Sequence, residues 1–432
     1  MKQVLWSALD KRQRELALAR APSTSSQELV SGVAQIIRRV RDGGDAALKA
    51  LTAELDHVSD LQLATSKQAL RQADDSLTTE VSEALDVAIN RVRSFHSACT
   101  VSDVSCDLNG IRCERVSRPI QTVGLYVPAG SAPLPSTTIM LGVPASLAGC
   151  ARVVLCSPPN AQGQVDTTVL AAASRLGISE VFAVGGAQAI AAMAYGTETI
   201  PRCDKIFGPG NSWVTQAKQQ VSQDPQGASI DMPAGPSEVM VVADDAATPA
   251  FVASDLLSQA EHGPDSHVVL VALSDSILAE TQQAVEEQLT RLPRGDVAKA
   301  ALSHSVSIVV DDRQQALEVM NAYAPEHLIL QVAQARQWLP QIVAAGSVFL
   351  GAHTPESLGD YCSGTNHVLP TYGYARAYSG VSVDSFQIRM TVQEASAEGL
   401  KAVGPTAVTL ARVEGLEAHA QAVVLRLEAL ES

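Results

Sequence analysis

The sequence predicts an α/β protein built on two open parallel sheets, and three observations lead there. From Val123 onward, short β-rich runs alternate with helical stretches, and a chain that repeats strand, turn and helix makes right-handed crossovers between parallel strands. The composition is 46% hydrophobic but only 4% aromatic, the aliphatic filling of layered α/β cores. The length of 432 residues allows two to four domains of about 100–200 residues, each with its own core.

Taken in order, residues 1–100 read as mostly helical, because 27–48 and 76–97 carry apolar residues at three- and four-residue spacing between charges. Strands are expected at 123–127, 152–156, 180–184, 204–207 and 238–243, with helices at 137–148, 167–176, 187–195 and 212–222 in the four intervals between them. A second series follows, with strands near 268–273, 307–310, 328–331 and 347–350. Two open units fit these runs better than one very wide sheet. The tail after Pro370 reads as a Tyr/Gly-rich stretch and then helices at 394–400 and 406–430 with no further strand. Such a helical pair cannot bury its apolar stripe alone and must pack on its own body or on a partner subunit.

The formal charge of −15 argues against a nucleic-acid partner, which needs clustered Lys and Arg to displace counterions. Seven cysteines form no CxxC pair, and an odd count fits a reducing compartment. Cys99, Cys106 and Cys113 recur every seven residues without another soft ligand among them and read as small apolar residues. Lys2, Asp10, Lys11 and Arg12 precede any sustained apolar run, and polar residues interrupt every apolar stretch of about 18. Neither a secretory segment nor a membrane span is expected, and the protein reads as cytoplasmic.

Four polar segments could carry chemistry. In Ser258–Pro264 a helix opened by Thr248 and Pro249 should end at Gly263-Pro264, which puts Gln259 and His262 on one face of its last turn, within reach of a common ion. The same pattern is also an ordinary polar helix end, with His well placed on the dipole. Glu326-His327 lies just before a strand, where a His beside a Glu can act as a general base and an activator of water. Pro355–Asp360, followed by Ser363–His367, comes directly after a strand, the place where open α/β sheets put their ligand crevice. Glu414 and His419 are five residues apart, about 140° of helical rotation, and share a stripe only if Gly415 loosens the turn. Gly185-Gly186, Phe207–Asn211 and Ala234–Glu238 are glycine turns at strand ends and together suggest a binding rim. The chain has no GxxxxGK[ST], GxSxG or HExxH.

Several of these segments together resemble histidinol dehydrogenases. They are Ile230–Glu238 (IDMPAGPSE), Ser258–Pro264, Tyr323–Leu328 (YAPEHL), Ser363–Pro370 (SGTNHVLP) and Glu414–His419, with Asp204–Asn211 (DKIFGPGN) and Gly185–Ile190 (GGAQAI). The resemblance runs in order from about residue 20 to the end. It implies an NAD-dependent zinc enzyme that oxidises L-histidinol to L-histidine, through bound L-histidinal, with two NAD+, as the last steps of histidine biosynthesis. Carried over motif by motif, it implies one Zn2+ per subunit held by Gln259, His262, Asp360 and His419, the last from the other subunit of a homodimer with shared sites. The substrate's amino and imidazole nitrogens would complete the coordination, so the ion acts as a template. His327 would take the hydroxyl proton and assist the second hydride transfer, and Glu326 would activate water. Ser237 and Glu414, with Glu356 and His367, would hydrogen-bond substrate alongside the ligands and His327. Tyr126, Gln188 and Asn211 would bind NAD+.

The resemblance also implies two incomplete Rossmann-like domains, at 24–122 with 237–381 (zinc and substrate side) and at 123–236 (NAD side). An N-terminal extension at 1–23 and a helical C-terminal domain at 382–432 that intertwines with the partner would complete the chain. One departure stands out. The family commonly reads Tyr-x-Pro-Gly-Gly where this chain has Tyr126-Val127-Pro128-Ala129-Gly130. If position 129 needed a positive φ, alanine would cost about 1 kcal/mol and weaken NAD+ binding. Two other readings compete: a related zinc/NAD dehydrogenase for another polar amino alcohol, and a non-catalytic paralogue. The second would be expected to lack Glu326, His327 or a ligand, and all are present.

Overall fold

A computed structural model describes residues 1–20, 27–100, 102–129 and 132–431. The expected boundary between residues 23 and 24, and Gly130 of the glycine motif, lie outside the described residues. The chain divides into two compact units: Met1–Cys99 with Gln121–Val383, and Thr100–Ile120 with Asp384–Ser432.

In chain order the strands are β1 (Lys2–Leu5), β2 (Val104–Leu108), β3 (Ile111–Pro119), β4 (Thr122–Tyr126), β5 (Arg152–Ser157), β6 (Glu180–Ala183), β7 (Lys205–Phe207), β8 (Ser229–Ile230), β9 (Glu238–Ala243), β10 (His267–Ala272), β11 (Val306–Val309), β12 (His327–Gln331), β13 (Ser347–Leu350) and β14 (Gln387–Ala395). The first unit holds two parallel sheets, ordered β6-β5-β4-β7-β8 and β1-β11-β10-β9-β12-β13. Apart from the edge strand β1, each starts from an inner strand, β4 or β9, adds two strands on one side and then crosses to the other, so strand order reverses between β4 and β7 and between β9 and β12.

The expected α/β class and parallel sheets are therefore present, and the central strands show why their sequence was readable. All six residues of β9, Glu-Val-Met-Val-Val-Ala, are buried. Val239, Val241 and Ala243 pack on one face with Val252, Leu256 and Ile277 of the crossover helices, while Met240 and Val242 pack on the other with Trp6, Leu317 and Tyr323. A strand covered on both faces has no reason to alternate and reads as one apolar run.

Three expectations are corrected. Residues 1–100 are mostly helical, with Gln27–Leu55 and Thr79–Ala98 as the long helices, but β1 adds a strand at the sheet edge, paired parallel to β11. It went unread because an exposed edge strand of four residues has no run to detect. The tail was expected to carry no strand, yet β14 pairs antiparallel with β3 over nine residues, and β3 with β2, in the second unit. The signal for β14 was the period-two set Ile388, Met390 and Val392. For β2 and β3 it was Asn109-Gly110, whose φ values of 52° and 83° form the tight turn between them. The expected single helix over 406–430 is also two, Ala397–Val413 and Glu417–Ala429, because Gly415 takes a φ of 72° and ends the first.

Candidate functional site

The six-stranded parallel sheet, in which β9 and β12 are neighbours, gathers most of the chemistry at its amino-terminal edge. Glu238 and His327 are the first residues of β9 and β12, and Glu326 immediately precedes the latter. The helix Pro249–Ala260 leaves the far end of β9 and runs back, so its carboxyl end returns Gln259 and His262 to the same edge. Thr248 and Pro249 open that helix as expected, without a side-chain cap. It stops at Ala260, so His262 lies in the turn beyond, its N–H on the Gln259 carbonyl at 3.2 Å. The short helix Glu356–Tyr361 brings Glu356 and Asp360. The sequence pointed to a crevice after a strand, at the carboxyl ends. The segment Pro355–Asp360 does follow β13, but it folds back to the amino ends.

Ligand atoms of His262, Glu356 and Asp360 lie within 4.8 Å of one another. His327 Nδ1 is 3.6 Å from Glu356 Oε1, and its Nε2 is 3.8 Å from Asp360 Oδ1. The main chain of residue 238 holds both members of the Glu-His pair: its N–H donates to Glu326 Oε2 at 2.8 Å, and its carbonyl meets His327 Nδ1 at 3.1 Å. A carbonyl only accepts, so Nδ1 carries the proton and Nε2 keeps a lone pair. Among the described residues that Nε2 has no hydrogen-bond partner, and neither does the side-chain amide of the fully buried Gln259, Glu356 Oε2 or His367 Nε2.

Burial dominates the electrostatics. It pushes Glu326 and Glu356 well above the usual carboxylate range, Asp360 up to about 7 and Asp255 up to about 6. Glu356 is raised further by Asp360, Glu326 and Asp255 around it. Burial also holds His327 neutral, its pKa lowered to about 3, and His367 lowered to about 4. A set of crowded carboxyl groups with unpartnered amide and imidazole atoms is what a bound cation would complete, so these residues fit a metal ion.

The other expected residues fall elsewhere. Tyr126 ends β4 and Asn211 follows β7, at the carboxyl ends where the five-stranded parallel sheet reverses its order. Tyr126 is buried, its hydroxyl accepts the Gly186 N–H at 3.0 Å, and burial pushes its pKa up to about 12. Gln188 donates to Asp56 at 3.3 Å, and Asn211 caps the helix Ser212–Gln223 through the N–H groups of Trp213 and Val214. Gly208 has to be glycine, because a Cβ there would lie 2.1 Å from the Tyr126 carbonyl oxygen and its φ is 123°. Left-handed backbone at non-glycine positions occurs, among the described residues, at His57, Asn109, Ala324, Gln334 and Tyr372. Ala129 is not among them, so the cost that a positive φ would bring there does not arise. Ser237 is half-buried beside Glu238. Glu414 and His419 are exposed and belong to the second unit.

Sequence reasoning missed Arg20, Glu238 and Gly346. Glu238 had a signal, a carboxylate opening an otherwise apolar strand. Gly346 had none, because its neighbour is Glu326 across the sheet: its N–H donates to the Pro325 carbonyl at 2.9 Å, and a Cβ would lie 2.6 Å from Glu326 O.

The sequence profile described as histidinol dehydrogenase matches residues 19–427. The chain is 55% identical over 423 residues to a histidinol dehydrogenase of Xanthomonas campestris pv. campestris, covering 98% of each, and 50% identical to that of Vibrio vulnificus over the whole of both chains. The crystal structure of histidinol dehydrogenase from Elizabethkingia anophelis superposes with a TM-score of 0.96 at 42% identity, covering 100% of this chain and 99% of that one.

Proposed function

The chain belongs to the histidinol dehydrogenase family, NAD-dependent oxidoreductases acting on a CH–OH group, and from that premise we propose that it oxidises L-histidinol to L-histidine in two steps at the amino-terminal edge of β9 and β12. The observation that carries this reading is the free Nε2 of neutral His327 beside the group formed by His262, Glu356 and Asp360. Gln259, His262 and Asp360, with His419 of the partner subunit, would hold Zn2+, one per subunit. The ion supplies a positive template for the substrate's amino and imidazole nitrogens.

The chain's own groups then divide the proton work. His327, with Nδ1–H on the Glu238 carbonyl, has the tautomer needed to take the alcohol proton at Nε2 while the carbon-bound hydrogen leaves as hydride to NAD+. Glu326 is oriented through Oε2 by the Glu238 N–H, which leaves Oε1 to remove a proton from the water that hydrates the aldehyde. Its raised pKa makes the ionised form a stronger base. His327 would serve again in the second oxidation. Ser237, Glu356, His367 and the partner's Glu414 would bind substrate, and Tyr126, Gln188 and Asn211 would line the NAD+ side.

The reading includes an intertwined homodimer of two incomplete Rossmann-like domains per chain, 24–122 with 237–381 and 123–236, with 1–23 and 382–432 as extensions. Exposed Leu410, Val413, Leu416 and Leu425 in the second unit support a partner-covered face. No described helix is long and apolar enough to cross a membrane. None of the seven cysteines is in a disulfide, as in a reducing compartment, and the reading places the protein in the cytoplasm. The test is NADH formation from purified, zinc-replenished protein with L-histidinol and NAD+ at alkaline pH. Its absence refutes the proposal, and equal turnover of amino alcohols lacking the imidazole refutes the substrate.

A further inference from the structure

We propose that Arg20 and Glu238 are a positioning pair: their buried ion pair fixes the main chain of residue 238, which orients Glu326 and His327 together. This rests on the proton-transfer roles proposed above for those two residues.

Glu238 opens β9 with its carboxylate inside the protein, its side chain 2% exposed against 12% for Arg20. Arg20 engages it with two prongs, Nε to Oε1 and Nη2 to Oε2, the latter at 2.8 Å. The guanidinium carbon also lies over the Tyr323 ring, 3.8 Å from its centroid, and Nη2 donates to the Tyr323 carbonyl at 3.0 Å. The Tyr372 N–H donates to Glu238 Oε1 at 2.9 Å, from a residue with a φ of 54°. The N-terminal segment and the loop at 371–373 thus converge on one carboxylate, and the end of the helix Arg313–Tyr323 holds the guanidinium that meets it.

An ion pair of this depth contributes little to stability compared with apolar side chains of the same size, because desolvation consumes most of its attraction. What it does provide is a fixed direction, since a two-pronged guanidinium–carboxylate contact allows a single relative orientation. That direction matters here because the two polar groups of residue 238 are the partners of Glu326 and of His327 Nδ1. A small rotation of this residue would turn the Glu326 carboxylate and release the His327 proton, disturbing both bases at once. Neither Arg20 nor Glu238 needs to touch substrate for this.

The experiment uses full-length, zinc-loaded Glu238→Gln and Arg20→Lys. Glu238→Gln keeps the shape and one acceptor but loses the charge; Arg20→Lys keeps the charge and loses the fork. For L-histidinol and for L-histidinal, kcat and KM are measured with zinc content and the isotope effect on hydride transfer. The expected result is a fall in kcat of about tenfold or more with both substrates, KM within about threefold, unchanged zinc and a larger isotope effect, in the same direction but smaller for Arg20→Lys. A kcat within about twofold of the parent in both variants overturns the proposal, as does a loss explained wholly by KM or by missing zinc. If Glu238→Gln does not fold, Arg20→Lys decides by the same criteria. Glu326→Gln and His327→Asn run in parallel: full activity in these refutes the site reading itself, whereas their inactivity beside unaffected Glu238→Gln and Arg20→Lys refutes only the positioning role.

Discussion

Replacing Gly346 by alanine would test how tightly Glu326 must be held. Gly346 lies between β12 and β13, its N–H bonded to the Pro325 carbonyl at 2.9 Å while the next N–H, of Ser347, donates to the Glu326 carbonyl at 2.8 Å. A Cβ would stand 2.6 Å from Glu326 O, 3.3 Å from its carbonyl carbon and 3.2 Å from Leu369 Cβ, and ordinary contact begins at 3.4 Å. The position is not left-handed, so alanine meets no backbone strain and the whole effect is steric. The contact must open by about 0.8 Å, and the atom that yields is a sheet-bonded backbone carbonyl, because no flexible side-chain end is available. Overpacking of this kind costs about 1–3 kcal/mol of stability. A displacement approaching 1 Å at a proton-transfer group lowers the rate by about 10²-fold. Measured by NADH release from L-histidinal, where Glu326 is needed for hydration, kcat for Gly346→Ala is expected to fall by that order while zinc stays bound. The denaturation midpoint should fall modestly. A variant that folds and turns over L-histidinal within about twofold of the parent would refute the reasoning, because Glu326 would then tolerate the shift.

Other expectations follow from the same geometry. Gln259→Leu removes a buried amide that has no partner among the described residues, so metal-free protein should be no less stable, or more stable by about 1–3 kcal/mol, while zinc content falls; retained zinc would contradict the ligand role. His267 is buried against Tyr323, 2.6 Å from its hydroxyl, with its pKa lowered to about 4 chiefly by burial. The unfolded state, with pKa near 6.5, therefore binds the proton first, so this stability is present above about pH 6.5 and is lost as pH falls toward 4, up to about 3 kcal/mol. Urea midpoints between pH 7 and pH 4.5 should show that slope, and His267→Gln should flatten it; an equal slope in the variant excludes this histidine. Mixing His419→Asn subunits with subunits carrying both Glu326→Gln and His327→Asn should restore part of the activity, because one of two shared sites becomes whole, and verified exchange without recovery would mean that each site is built within one chain.

What the sequence determined by itself is whatever local burial writes into residue order. The apolar runs of β9, β10 and β12 are packed on both faces and β5 is buried over its last four residues, so a short aliphatic block announced each, and the crossover helices announced the parallel direction. The site segments were legible for a related reason: Ser258–Pro264, Pro325-Glu326-His327 and Pro355–Asp360 set polar, titratable residues against apolar surroundings. Tertiary structure decided the rest, because partner and edge are not local properties. It brought Gln259, His262, Glu356 and Asp360 to the amino ends of β9 and β12, through a helix that runs back and a segment that folds over. It joined β14 to β3, about 270 residues earlier in the chain, in an antiparallel pairing that no window of sequence contains. It also set the main chain of Glu238 between Glu326 and His327, and Gly346 beneath the Glu326 carbonyl. Hydrophobic periodicity records how deeply a residue is buried, whereas register and strand order decide against whom, and proton transfer depends on the second.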